Sequence, residues 1–143
     1  MTGAADCVNL HGSCVALSGK GVLILGPSGS GKSALALALM AYGCDLVSDD
    51  RTDVTLRDGV LEATAPDTIR GCIEARGVGL LPAASVDSAR LILAVDLAHL
   101  ESARLPQSRH YSVLGVNLPL LHRIESIHFP AAVLQYLKAG RAA

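Results

Sequence analysis

The apolar positions of the chain fall into short runs broken by turn residues, with two longer stretches of helical character. Ser13 to Leu17 and Gly21 to Leu25 are apolar runs separated by Ser18-Gly19-Lys20, which predicts two strands joined by a tight turn. Thr52 to Arg57 and Val60 to Thr64 flank Asp58-Gly59. That pair supplies the positive φ angles of a type I′ turn, so a hairpin is expected here. Asp45 to Ser48 predicts a short strand ending in Asp49-Asp50, and Leu91 to Val95 is an aliphatic run of the kind found in a strand covered on both faces.

From Lys32 to Tyr42 the sequence alternates Ala and Leu, and period-2 counting alone reads this as a strand. Ala and Leu are strong helix formers, however, a glycine-rich segment precedes the run, and Gly43 stands where a helix ends in a left-handed cap. A helix is therefore predicted. Leu35 and Leu39 share one face and Leu37 lies on another, so it should be covered on more than one side. A last helix is predicted over Pro130 to Ala139, with Pro at its first position and Gly140 just past its end. No internal repeat or low-complexity linker interrupts residues 1–143. The expectation is one α/β domain whose mixed β-sheet is flanked by helices and a β-hairpin.

Composition narrows the function classes. Half of the residues are hydrophobic and 17% are charged, which excludes a disordered chain. With three Tyr, one Phe, no Trp and a net charge of −1, neither stacking platforms nor a basic field exist for nucleic acid. The longest apolar run, Ala34 to Tyr42, is nine residues, far short of the ~20 needed to cross a bilayer. Met1-Thr2-Gly3-Ala4-Ala5-Asp6 lacks the basic start and apolar core of a signal peptide. No membrane partner is expected, and a cytoplasmic location is. Cys7, Cys14, Cys44 and Cys72 are spaced too irregularly for a metal clip and read as small core residues.

The strongest chemical signal is Gly26-Pro27-Ser28-Gly29-Ser30-Gly31-Lys32-Ser33, which matches G-x-x-x-x-G-K-[ST] between a predicted strand and a predicted helix. Glycines let backbone N–H groups converge on phosphate oxygens, and the helix beginning near Lys32 adds its positive dipole end. Lys32 is expected to reach the β and γ phosphates and Ser33 to coordinate Mg²⁺. A nucleoside triphosphate with Mg²⁺ is the expected ligand of this P-loop.

Other pieces occur around the loop: His11, twenty-one residues before Lys32; Asp49-Asp50 after Leu46-Val47-Ser48; and Ile73-Glu74-Ala75-Arg76-Gly77-Val78-Gly79. Over about residues 8–126 this set resembles the catalytic domain of the bacterial HPr kinase/phosphorylases, whose loop reads G-x-S-G-x-G-K-S and whose signature reads E-x-R-G-x-G. The resemblance implies a P-loop kinase domain that uses ATP and Mg²⁺ to phosphorylate a serine of HPr, the phosphocarrier of the sugar phosphotransferase system. It implies Lys32 as catalytic phosphate binder, Ser33 and Glu74 as Mg²⁺ ligands, and His11 as an active-site residue near the aspartates. Asp50 would be the base that takes the serine proton, with Asp49 its close competitor. Arg104, in Ala103-Arg104-Leu105, falls where the family has a catalytic arginine. Assembly as a homo-hexamer is implied as well.

Two departures stand out. Full-length members carry an additional N-terminal domain, whereas about ten residues precede His11 here, which reads as a stand-alone catalytic domain. The stretch that in longer members reads like R-P-G-R-N appears as His128-Phe129-Pro130-Ala131-Ala132, without arginines. Weak or absent phosphorylase activity is the expectation.

Two other functions compete. A small-molecule kinase would use Leu91 to Asp96 as its Walker B strand, with Asp96 near Mg²⁺. A nucleotide-sensing regulatory module would bind ATP without transferring its phosphate. His99, His110, His122 and His128 match no ligand spacing and are expected to be ordinary surface or core residues.

Overall fold

A computed structural model describes residues 6–143. The N-terminal segment that lacks signal-peptide character therefore lies, but for Asp6, outside the described residues. Eleven strands and two α-helices succeed one another as β1 (Cys7–Leu10), β2 (Gly12–Leu17), β3 (Lys20–Leu25), α1 (Lys32–Ala41), β4 (Asp45–Ser48), β5 (Thr52–Arg57), β6 (Val60–Thr64), β7 (Cys72–Ala75), β8 (Gly79–Pro82), β9 (Ala89–Leu100), β10 (His110–Val113), β11 (Val116–Arg123) and α2 (Phe129–Ala139). Nine strands form one sheet in the order β1-β5-β6-β9-β3-β2-β4, with β10-β11 joined through β11 to β9. β7 and β8 form a separate two-stranded ribbon. The fold is mixed α/β, as the alternation of patterns predicts. Among the described residues no helix is long and apolar enough to cross a membrane.

β9 is the spine. Its twelve residues exceed a usual strand, and it pairs on one edge with β3 from Arg90 to Asp96 and on the other with two different strands. β3 runs parallel along one edge from Lys20↔Arg90 to Leu25↔Asp96. On the other edge β6 pairs antiparallel at Ala89 and Arg90, and β11 pairs parallel from Ala94 onward. Parallel pairs require long crossovers, and the β3 to β9 crossover contains α1.

Successive residues of β2 and β3 face opposite sides, and both sides are covered. Val15, Val22 and Ile24 join Leu35, Ala36, Leu39, Phe129, Val133 and Leu137 under the helices. Cys14, Ala16 and Leu23 join Val54, Leu61, Ala63, Val113 and Leu118 under the two hairpins. Leu37 and Met40 are partly buried against the helical side, so α1 is covered on more than one face as expected. Cys14 and Cys44 are buried, and burial pushes both thiols up from their ordinary range, with Asp45 adding to the effect at Cys44. Cys7 departs from the core reading. It lies exposed on the edge strand β1.

The three hairpins with two-residue loops turn on consecutive positive φ angles: Ser18 (51°) and Gly19 (81°), Asp58 (52°) and Gly59 (75°), Leu114 (50°) and Gly115 (82°). The first two were legible as turns. Leu114 was not, because a leucine is sterically disfavoured there and leaves no sequence signal. α1 ends as predicted: the N–H groups of Gly43 and Cys44 donate to the carbonyls of Met40 and Leu39 at 3.0 and 3.1 Å, the paired bonds of a Schellman motif. α2 starts one residue earlier than predicted, at Phe129, because that side chain is drawn into the core.

Leu39 lies at the centre of the helical side, with no exposed surface. Leu39→Ala should therefore lower unfolding free energy by about 2–5 kcal/mol, the usual cost of a cavity at a buried leucine. Leu37→Ala, at a half-buried position, should cost clearly less. Urea unfolding of the two variants beside the wild type measures both.

Candidate active site

β3 ends at Leu25, and the next residue has no room for a side chain. A Cβ on Gly26 would lie 2.4 Å from Ser30 Oγ and 3.3 Å from Leu97 Cβ. Gly29 (φ 83°) and Gly31 (φ 102°) occupy the left-handed region, so the loop curls back on itself at low cost only with glycine. Its end is the N-terminus of α1, whose free N–H groups and dipole favour anions. Lys32 is buried, with Nζ donating to the carbonyls of Gly26 and Pro27 at 2.9 and 3.2 Å. The hydroxyl of Ser30 is buried and has no partner among the described residues. A loop of this shape, with a spare hydroxyl and a lysine curled inside it, fits a phosphate chain.

Across from Ser33 lies Asp49, at the end of β4. Here β4 is irregular: Cys14 pairs with Ser48 and Val15 with Leu46, so Val47 is an extra residue. Such a bulge re-aims the residues after it. Asp49 is only 7% exposed. Its Oδ1 accepts from Ser33 Oγ at 2.7 Å and Ser13 Oγ at 2.9 Å, and its Oδ2 accepts from the Glu74 N–H at 3.0 Å. The Ser33 hydroxyl and the Asp49 carboxylate thus meet at the mouth of the loop, with the backbone of Glu74 beside them, and hard oxygen ligands of this kind suit Mg²⁺.

The neighbouring carboxylate goes the other way. The Arg51 N–H donates to the Asp49 carbonyl at 2.8 Å, closing a three-residue turn around Asp50 at φ 68°. A γ-turn with positive φ at its centre is the rare, strained form. The hydroxyl of Ser48 donates to the Arg51 carbonyl, and the Asp50 N–H donates to Ser13 Oγ at 3.0 Å. These bonds over-determine the strain, as functional sites often require. The side chain of Asp50 is left 62% exposed, with His11 Nε2 at 3.0 Å from Oδ1.

His11 reaches this point because the chain changes partner there. β1 pairs with β5 up to Leu10↔Thr52, whereas β2, from Gly12, pairs with β3 and β4. Gly12 is wedged against the Ile24 carbonyl, 2.7 Å from where a Cβ would stand, and its own carbonyl accepts from Thr52 Oγ1 at 2.9 Å. The bend between the two strands turns the imidazole toward Asp50.

His11, Asp49, Asp50, Ser33 and Glu74 are thus gathered beside the loop Gly26–Ser33. Arg104 is not joined to them by any hydrogen bond or ion pair among the described residues. It is exposed in the loop after β9. The base of that loop is held by Glu101, which accepts from Arg109 Nε and NH2 at 3.1 and 3.2 Å. These bonds, with lesser help from the Ala103 and Ser102 N–H groups, hold the Glu101 carboxyl below its ordinary range. Asp96 sits at the carboxyl end of β9, yet its carboxylate bonds Ala98 N–H and His99 Nδ1, both at 2.8 Å. Ser33 bonds Asp49 instead. Ser13 had no sequence signal, being one polar residue in an apolar strand. His99 and His122, read as ordinary residues, stack on each other next to Asp96 with ring centroids 5.3 Å apart.

Comparison with known proteins identifies the family. The chain is 36% identical over 116 residues to the HPr kinase/phosphorylase of Caldanaerobacter subterraneus subsp. tengcongensis, covering 78% of this chain and 38% of that protein. It is 40% identical over 99 residues to the HPr kinase/phosphorylase of Limosilactobacillus reuteri, covering 66% of this chain and 31% of that protein. The chain therefore spans about a third of the length of these relatives. In fold it is similar to the HPr(Ser) kinase/phosphatase of Coxiella burnetii, with a TM-score of 0.77 and 24% identity over 92% of this chain and 88% of the other. The profile of the HPr serine kinase C-terminal domain matches residues 3–121, most of the chain and every element that builds the site, and the chain belongs to that family.

Proposed function

We propose that this domain is an ATP- and Mg²⁺-dependent serine kinase whose substrate is HPr, with weak or absent phosphorylase activity. One observation carries the reading: the two adjacent carboxylates differ in burial and in partners. Asp49 is buried and already accepts from Ser33, Ser13 and the Glu74 N–H, so it has little capacity left for an incoming hydroxyl. Asp50 projects outward on its γ-turn with one partner, His11. A protein serine approaching from solvent meets Asp50 first, and a positioned carboxylate at hydrogen-bond distance is what proton removal needs.

Neighbouring residues take the remaining roles. Gly26 to Ser33 form the P-loop that cradles the triphosphate, and Lys32 turns from the loop carbonyls to the β and γ phosphates. Ser33 and Glu74 would hold Mg²⁺, with Asp49 fixing the Ser33 hydroxyl, and the ion would offset negative charge on the transferring phosphoryl group. His11 orients the Asp50 carboxylate. Arg104 enters on family resemblance alone, as do the homo-hexamer and the cytoplasmic location. The rival use of Asp96 as the Mg²⁺ ligand beside Ser33 is disfavoured because Ser33 Oγ bonds Asp49, whereas the partners of Asp96 are Ala98 N–H and His99.

Reverse transfer would bring inorganic phosphate beside phosphoserine, two anions in one place, and cations at that point matter more there than in the forward direction. His128 to Ala132 offer none. Phe129 is buried in the core, and His128 Nδ1 is bonded to Ser126 Oγ at 2.6 Å. Two further arginines, Arg109 and Arg123, face Glu101 and Glu125.

Incubation with labelled ATP, Mg²⁺ and purified HPr should yield acid-stable phosphoserine on HPr. Absence of label on HPr with ATP bound would favour a nucleotide sensor. Asp50→Asn should keep the unfolding midpoint and ATP affinity while lowering transfer by about 10²-fold or more, the worth of a general base. Asp49→Asn should instead lose about 1–3 kcal/mol of stability, since an amide cannot accept all three donors. Wild-type turnover in Asp50→Asn would remove the base from Asp50. For direction, dephosphorylation of phosphoserine HPr at millimolar phosphate should be much slower than phosphorylation at millimolar ATP in one buffer. Equal rates would place a phosphate site elsewhere in the fold.

A further inference from the structure

The ladder between β9 and β11 advances evenly through Leu120↔Ala94, Leu121↔Val95 and His122↔Asp96, then jumps to Arg123↔Leu100. Leu97, Ala98 and His99 are thus three residues of β9 with no opposite number on β11. Directly paired residues of neighbouring strands place their side chains on one face, so Asp96 and His122 lie side by side. The excursion then folds His99 back over them. Asp96 Oδ1 accepts the Ala98 N–H, Oδ2 bonds His99 Nδ1, and the two imidazoles stack with an interplanar angle of 27°. One ligand atom from each of Asp96, His99 and His122 lies within 4.8 Å of the others.

We propose that Asp96, His99 and His122 bind a divalent transition-metal ion of the zinc class. Two imidazole nitrogens and a carboxylate oxygen are the donors such ions take, and they leave a coordination position for water. Metal–ligand bonds of about 2.0–2.2 Å require the three atoms to draw together from their present spread. His99 can supply the movement, because its side chain is 66% exposed and held chiefly by Asp96. The set also differs in kind from the one at Ser33. In the strand order β11-β9-β3-β2-β4, the loop-bearing β3 separates an oxygen-donor cluster on the β2/β4 side from a nitrogen-rich cluster on the β9/β11 side. Hard and borderline cations would partition between them. A bound ion would also tie β11 to β9 beside Leu97, whose Cβ forms the wall against Gly26.

The test uses tag-free protein freed of metal by chelation, titrated with CoCl₂ without nucleotide and followed by visible absorption. One equivalent should bind with the bands of a low-coordinate nitrogen and oxygen site and without the near-ultraviolet band of a cobalt thiolate. His99→Ala and His122→Ala should each weaken binding by at least about 10- to 100-fold, the loss seen when even an outer partner of a metal is removed. ZnCl₂ should raise the Tm of the wild type and leave that of His122→Ala unchanged. Ring-proton NMR should show Co²⁺ shifting His99 and His122 and sparing His11, His110 and His128, which tests the wild-type chain without a variant. The proposal is overturned by equal Co²⁺ affinity in both histidine variants, by a thiolate band, or by binding that disappears in Glu74→Gln.

Discussion

The carboxylate of Asp49 is the constraint on which the rest of the site depends. A charge that is 7% exposed costs several kcal/mol to remove from water unless hydrogen bonds replace the lost solvent. No ion pair offsets it among the described residues. Three donors do, and they come from β2, α1 and β7. A carboxylate just past β4 therefore fixes the helix that succeeds the glycine loop, the strand that follows His11, and the ribbon that carries Glu74. Since Ser13 Oγ also accepts the Asp50 N–H, the network continues into the γ-turn. Chains of this sort polarise one another in a low-dielectric setting, so loss of one member is felt at the others.

Where this network sits is decided by β9. Parallel pairing of β3 with β9 runs out at Leu25↔Asp96, and the glycine loop leaves the sheet at that level. β9 itself continues to Leu100, leaving Leu97 as the surface against which Gly26 is pressed. The loop thus has a wall on one side and Asp49 on the other. Lys32 and Ser33 are the first residues of a helix that cannot slide, because Leu35, Ala36 and Leu39 are locked into the core beneath it.

Much of this was legible in the sequence wherever chemistry is local. Asp58-Gly59 specifies its turn by itself, Gly43 ends α1 through its own left-handed backbone, and the Ala/Leu alternation yields to helix propensity because β3 and its loop have already turned the chain. Elements whose existence depends on distant partners were missed. β1 is an edge strand that exists by pairing with β5, the β10-β11 hairpin turns on Leu114, and the β7-β8 ribbon is held mainly by Ile73 and the segment after it. The site shows the same division. The loop, Asp49-Asp50 and Glu74 are contiguous motifs, whereas Ser13 and the meeting of His99 with His122 arise from strand register, which no residue spells out. The difference in burial between Asp49 and Asp50 likewise rests on a bulge at Val47 and one positive φ.

The β7-β8 ribbon carries a different implication. A two-stranded ribbon is marginally stable alone, and this one exposes Val78 and Leu80 at its far end while its base is tied down by the Ala83 and Leu46 N–H groups, which donate to Gly71 and Ala84 at 2.9 Å. Such a unit is expected to open more often than the sheet beneath it. An opening would break the bond between the Glu74 amide and Asp49 and release one oxygen of the buried carboxylate to water. The amide of Glu74 is thereby a natural reporter: its hydrogen-exchange rate measures how long the whole site stays assembled between excursions.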